Sequence, residues 1–245
     1  MSKRQDPREF FSQHHEAYVQ SPRHARGPDL DLLIEGLQPK AGQSALDVAT
    51  GAGHTAVRLA EHGLQVTVAD ITREMLNDAM ALAQNRGLAL AALEAPAESL
   101  PLADQIMDFV TCRRAAHHFQ DVDAFLRESH RVLKPGGRLG ISDMTGSSAH
   151  IDWLNELERL RDPSHHRALP PDEWYRKLVD TGFEDITIRL SEEPMPAEEW
   201  LSPVAVDSPS GASALHFMRQ PMAPAEFLRG DRFIKRRILL WAVRP

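Results

Sequence analysis

Residues 45–56 read Ala-Leu-Asp-Val-Ala-Thr-Gly-Ala-Gly-His-Thr-Ala. Apolar Ala45, Leu46 and Val48 give way to a turn carrying Gly51 and Gly53, after which helix-forming residues begin. That order describes the end of a buried parallel strand, a tight loop and a helix start. A residue without a Cβ lets a ligand approach the backbone closely, and the N–H groups of the helix start then face it. Asp47 sits just before the glycines, where a phosphate would be repelled and a cationic group is welcome. Further on, Gln65–Asp70 (QVTVAD) reads as a second strand ending in an acid, a place from which a carboxylate can accept both hydroxyls of a ribose. A nucleoside joined to a cation meets both requirements, and S-adenosylmethionine is such a compound.

The chain has 245 residues, 42% of them hydrophobic, which is enough for one α/β domain with a core of ordinary size. No apolar run approaches the ~20 residues that a membrane-spanning helix requires. The segment MSKRQDPREFF is too polar for a secretory signal, so a cytoplasmic protein without membrane insertion is expected. Cys112, the single cysteine, excludes an internal disulfide and any paired-cysteine metal site. Net charge is −7, from 28 basic and 35 acidic residues, which argues against an electrostatic nucleic-acid binder. Basic residues do gather at Arg229, Arg232, Lys235, Arg236 and Arg237; strand alternation spreads them over both faces, and a solvated edge strand accounts for them.

Outward from the opening motif, strands are expected at about 44–49, 65–69, 88–93, 107–112, 138–142, 184–190 and 232–243. Helices fall between them, with Gly63, Gly87 and Gly182 as stops. The alternation implies a Rossmann-like, doubly wound α/β fold: a mostly parallel seven-stranded sheet whose last strand is antiparallel. One domain spans 1–245, with a helical N-terminal arm over 1–29 and a cofactor-binding core over 30–147. Residues 148–170 and 191–230 read as lid and cover segments, the latter partly helical.

The motifs LDVATGAG, VAD, AESLP, MDFVTC and VLKPGG, in this order, resemble the class I S-adenosylmethionine-dependent methyltransferases. The resemblance is greatest to the branch that includes the ubiquinone and menaquinone C-methyltransferases, the methyltransferase type 11 group, and covers about residues 30–190. It implies that Asp47, Ala49, Gly51 and Gly53 hold the methionine end of the cofactor and that Asp70 binds the ribose. Ile71 and Met75 would pack on the adenine, although both also read as core residues. Ala97 and Glu98 would edge it, and the backbone at Cys112 and Arg113 would meet the methionine amino group. The pattern departs at Pro96, where the family usually carries an aspartate for the adenine amino group. The arm YVQSPRH would bring Tyr18 and His24 toward the methionine carboxylate or the acceptor; Tyr18 also reads as a helix residue packed on the sheet.

Methyl transfer from a sulfonium is an in-line displacement in which the protein mainly aligns the nucleophile and excludes water. An oxygen or enolic carbon nucleophile gains from a base, which histidine supplies near neutral pH. His117 and His118, after the fourth strand, are the candidate catalytic groups, with packing at a helix start as the competing reading. The pair His165-His166 is a second candidate. The segment Glu158–Arg167 (ERLRDPSHHR) reads either as a lid presenting Arg161, His166 and Arg167 to an anionic acceptor or as a solvated loop. No histidine pair has a carboxylate or cysteine at ligand spacing, so no metal is expected. TCRRAA lacks the Asn/Asp-Pro-Pro-Tyr/Phe signature of amide-nitrogen methyltransferases, and one cysteine argues against an arsenic acceptor. The expectation is a monomeric or homodimeric enzyme methylating oxygen or carbon of a small molecule. The rivals are a cofactor-binding sensor or assembly subunit without transferase activity and an NAD-dependent oxidoreductase. The latter is prompted by the match of residues 51–56 to GxGxxA.

Overall fold

Val48, Val68, Val110 and Ile141 have no solvent exposure, as strands covered by helices on both faces require. A computed structural model describes residues 5–19, 25, 27–202 and 204–245. Five strands run parallel: β1 (Ser44–Val48), β2 (Gln65–Asp70), β3 (Leu90–Glu94), β4 (Met107–Arg113) and β5 (Leu133–Met144). Beyond β5 the long pair β6 (Glu184–Pro196) and β8 (Arg232–Val243) completes the order β3-β2-β1-β4-β5-β8-β6. β8 is antiparallel to both its neighbours, and the two-residue β7 (Leu228–Arg229) pairs onto β8 off this path.

Strand order reverses between β1 and β4. The connections on either side of that point diverge there, leaving a crevice at the carboxyl ends of the strands. On one face lie α2 (Pro28–Leu37), α3 (His54–Glu61) and α4 (Arg73–Gln84), whose Leu33, Leu37, Val57, Leu59 and Leu76 meet Ala45, Val66 and Phe109. The other face carries α5 (Val122–Val132) and α7 (Pro171–Thr181), where Phe125, Leu126, Trp174 and Leu178 close over Val48, Val110 and Ile141. A third cluster, with Leu154, Leu157, Trp200, Met218, Phe227 and Phe233, joins α6 (Ile151–Arg161), α8 (Ala197–Leu201) and α9 (Pro209–Met218) to the β6–β8 extension. The helix α1 (Pro7–Val19) packs on α4, tied by His15 Nδ1 to the Asp78 carboxylate at 2.6 Å.

Two expectations about the second half need correction. The strand expected over 184–190 runs on to Pro196, because β8 offers partners all the way to the Pro196–Arg232 pair. The basic strand is not an edge: β8 lies between β5 and β6, and its Arg237 is only 7% exposed. Composition alone cannot tell an edge strand from one that later receives a second neighbour.

The packing of α2 on the sheet turns on Gly36. Trp241 of β8 donates its indole N–H to the Leu33 carbonyl at 3.0 Å, and its ring lies where a Cβ on Gly36 would be. Alanine is otherwise preferred to glycine inside a helix by about 1 kcal/mol. Gly36→Ala is therefore expected to destabilise the protein by about 1–3 kcal/mol. In a Trp241→Leu background, where the collision is gone, the same change should become neutral or stabilising. Urea denaturation of the four proteins reads the reversal, and equal effects in both backgrounds would refute the contact as its source.

Candidate functional site

The crevice is a cavity of about 610 Å³. Its walls are the turn after β1, the start of α4 with Ile71 and Met75, the Ala95–Glu98 loop, and Arg113–Ala115 after β4. Pro7 and Phe11 of α1 close one side.

The turn after β1 works through backbone geometry. Ala49 and Gly51 have φ of 51° and 52°, and Arg114 at the end of β4 has 59°. For the two non-glycine residues this left-handed geometry costs about 1–2 kcal/mol each. Both line the cavity, so the strain is stored at the site itself. A Cβ on Gly51 would meet nothing within 4 Å, because it would project into the open cavity. Gly53 serves the packing of helices instead. A Cβ there would come within 2.6 Å of the Ala79 Cβ, so its absence lets α4 pass close to the start of α3.

Two aspartates hold this turn. Asp70 accepts the Gly51 N–H at 3.0 Å and the Thr72 N–H at 2.9 Å, and lines the cavity although only 8% exposed. Burial raises its pKa against the pull of those N–H groups. Each oxygen has acceptor capacity beyond its bond to one of those N–H groups. Asp47 lies beneath, 1% exposed, accepting the Thr111 and Thr50 hydroxyls at 2.6 Å each. Burial pushes it up to about 6, opposed by those two hydroxyls.

A third aspartate, which the sequence did not single out, fixes the other wall. Asp29 begins α2 and takes both consecutive arginines at the end of β4: Arg113 Nε at 2.8 Å and Arg114 Nη2 at 2.6 Å. Ser142 Oγ at the end of β5 donates to it at 3.0 Å. The one hint is Pro28-Asp29 at a helix start, but its partners lie far along the chain. Burial and the nearby Arg237 and Arg113 push the Arg114 guanidinium down, with Asp29 opposing.

Next to this wall, a turn of 3-10 helix over Ala116–His118 brings three histidines together. The ring centroids of His117 and His118 are 4.1 Å apart, and His165 stands 5.5 Å from His117. His118 lines the cavity; its Nδ1 lies 3.1 Å from the Ser164 carbonyl, and the Ser164 hydroxyl donates to Asp162 at 2.6 Å. That carbonyl can only accept, so Nδ1 carries the proton and Nε2 the lone pair. His117, one layer back, gives both its Nδ1–H and its backbone N–H to Asp143, at 2.5 and 2.9 Å. Burial, with His118 beside it, holds His117 well below the ordinary imidazole value, while burial pushes Asp143 up to about 6. No group of three or more His, Cys, Asp or Glu side chains among the described residues is arranged to hold a metal ion.

A family profile described as a methyltransferase domain matches residues 46–141. An uncharacterized methyltransferase of Bacillus subtilis is 35% identical over 203 residues, 81% of this chain and 76% of that protein. The chain belongs to the S-adenosylmethionine-dependent methyltransferases. A ubiquinone/menaquinone C-methyltransferase of Rubrivivax gelatinosus is 44% identical over 101 residues, 41% of this chain and 39% of its own length. The crystal structure of a methyltransferase from Bacillus halodurans superposes with a TM-score of 0.81 at 30% identity, covering 89% of this chain and all of that one.

The cofactor of this methyltransferase is S-adenosylmethionine, and the cavity suits its parts. Gly51 leaves open space above the turn, Asp70 offers acceptor lone pairs for a diol, and Ile71, Met75 and Ala97 supply apolar walls. Of the residues expected to hold the cofactor, Ala49, Gly51, Asp70, Ile71, Met75, Ala97, Glu98 and Arg113 line the cavity. Asp47, Gly53 and Cys112 stand behind it, the Cys112 side chain in the core. Of the residues expected to meet the acceptor, Arg161 pairs with Glu158 at 2.7 Å and lies 5.0 Å over Trp200, and Arg167 pairs with Glu173 at 2.5 Å; neither lines the cavity. The His166 and Arg167 N–H groups both donate to the His117 carbonyl at 2.9 Å, pinning residues 162–167 to the histidine turn. Tyr18 falls in α1, but its side chain and all of His24 lie outside the described residues.

The Asp29 cluster has a pH signature. Burial raises its carboxyl, but Arg113 and Arg114 outweigh that and hold it well below its ordinary 3.8. The folded value lies below the unfolded one, so the contribution to stability is present above the unfolded value and lost as the medium turns acid. Asp29→Asn is expected to cost about 3–5 kcal/mol at neutral pH. It should also flatten the stability loss between roughly pH 5 and pH 2. Denaturation at a series of pH values measures both; a variant as acid-sensitive as the wild type would place the source elsewhere.

Proposed function

We propose that this methyltransferase transfers its methyl group to an oxygen or enolic carbon of a small organic acceptor, with His118 taking the proton that leaves the nucleophile. The observation that carries the reading is the commitment of His118 Nδ1 to the Ser164 carbonyl at 3.1 Å, while the ring lines the cavity. The tautomer so fixed turns the basic nitrogen, Nε2, away from Ser164. Phe11 meets the same ring edge-on at 5.0 Å, so α1 limits both its rotation and the access of water.

In this reading Asp70 holds the ribose hydroxyls and the Ala49–Gly51 turn receives the methionine end. Ile71, Met75 and Ala97 flank the adenine, with Glu98 at its edge; Asp47 and Gly53 hold the turn from behind. The bound cofactor supplies an electrophilic methyl carbon on a sulfonium. His117, locked to Asp143, is a positioning residue: it holds the His118 ring from one side and residues 162–167 from the other.

Two variants separate binding from proton transfer. In calorimetric titrations with S-adenosylhomocysteine, Asp70→Asn is expected to weaken affinity about 10–100-fold, the loss of hydrogen bonds to a charged acceptor. His118→Gln should bind the same compound within about two-fold of wild type. In a panel of phenolic and enolic acceptors it should slow product formation by about 10²–10⁴. Undiminished turnover by His118→Gln would exclude it as the base.

A further inference from the structure

Lys235 and Arg237 are successive residues on one face of β8. Arg237 stands opposite Met144 of β5 and Ser191 of β6, and Lys235 stands opposite Glu193. Arg236, between them, points to the other face, where it pairs with Glu226 and reaches Glu192 at 3.4 Å. The contrast with its neighbours is sharp. Arg237 is 7% exposed and Lys235 half-buried, yet among the described residues the side chain of neither makes a hydrogen bond or an ion pair within 4.0 Å.

The acids around them are already engaged. Asp29 serves Arg113 and Arg114, Asp143 serves His117, Glu158 serves Arg161 and Asp162 serves Ser164. Glu193 stays exposed at the edge of the sheet. The fields of Asp29, Arg113, Asp143 and Glu193 all reach Arg237, and Arg237 in turn acts on Arg114 and His117. Its β5 partner Met144 follows Ser142 and Asp143, the residues that bind Asp29 and His117, so Arg237 stands beside the arginine wall of the cavity and the histidine turn. The charges of Arg161 and Glu158 also act on Lys235. Burial and the like charges of the neighbouring arginines depress the Lys235 ammonium. A guanidinium so largely withdrawn from water without an acceptor is costly, and a fold that only had to fill this space would do better with an apolar side chain.

We infer that Lys235 and Arg237 form an anion subsite that receives a carboxylate or phosphate group of the methyl acceptor, next to the cavity and within reach of the histidine turn. The inference rests on the reading of that cavity as the methyl-transfer site. It also gives the acceptor a polarity: an acidic group at the β8 end and the nucleophile toward His118. A planar guanidinium offers such a group paired N–H donors, and the ammonium adds a point charge.

The test uses the full chain, free and bound to S-adenosylhomocysteine, titrated in separate arms with inorganic phosphate and with acetate. Wild-type protein is expected to bind at least one of these anions in the millimolar range. Arg237→Met and Lys235→Met should each weaken that binding ten-fold or more. Arg232→Met, at an exposed position of the same strand, should leave it unchanged. All three should keep the wild-type affinity for S-adenosylhomocysteine. The phosphate and acetate arms tell which acidic group is preferred. A second readout opposes a structural role: without anion, Arg237→Met should melt at or above the wild-type temperature, because it removes a largely buried charge that no acceptor pairs directly. The inference is overturned by binding of neither anion to wild type, by equal binding to all variants, or by an Arg237→Met protein that melts lower or fails to fold. Failure of S-adenosylhomocysteine to bind wild type would instead refute the cavity assignment, and the titrations of the free protein would still decide the anion subsite.

Discussion

The cavity wall depends on one carboxylate shared between two guanidinium groups. Asp29 leaves the first turn of α2 and meets Arg113, Arg114 and Ser142, so a single side chain ties a helix start to the ends of β4 and β5. With the side chains 2–9% exposed, the charges have little water to compete with, and the pair of arginines must be held by geometry. Arg114 adopts a left-handed backbone to take its place in the pair. The same bend turns the chain into the 3-10 turn that carries His117 and His118. Position, charge and backbone strain at the wall are therefore parts of one arrangement.

The opposite wall is built from weaker parts used repeatedly. Asp70 and Asp47 each accept two donors, and three of those four donors come from the loops immediately after β1 and β2. This wall is short-range in sequence, and its residues announce themselves: glycines where the backbone must bend, an acid at the strand end, threonines beside them. The geometry of this wall is legible in the sequence because strand, turn and helix start lie within one contiguous run.

What was illegible depended on which strands become neighbours. Nothing near Asp29 in the sequence points to Arg113, and nothing in the run Arg232–Arg237 tells whether β8 borders solvent or sits between two strands. Reading its cations as a solvated edge failed for that reason, since burial on β8 is decided by the arrival of β6. The histidine pair shows the same limit at finer scale. His165 and His166 are adjacent and chemically equal, yet the former stacks near His117 while the latter uses its backbone N–H to bind the His117 carbonyl. The expected fold was recovered because alternation of apolar runs and glycine stops fixes layers and crossovers, whereas site chemistry on the far side rests on single contacts between distant segments.

The place of β8 in the sheet also sets an order of assembly. Each of β2 to β5 pairs with a strand made before it, so these strands can consolidate while the chain is still emerging. The Trp241 seat on α2 and the floor beside the arginine wall cannot form until residues 232–243 have been made. Until then β5 presents an unpaired edge, the kind of surface to which another chain can add. The nucleotide side of this enzyme is thus a product of local folding. The wall beside β8 arrives only when a late strand is inserted between two earlier ones, which makes the interval before that insertion the moment of greatest exposure to aggregation.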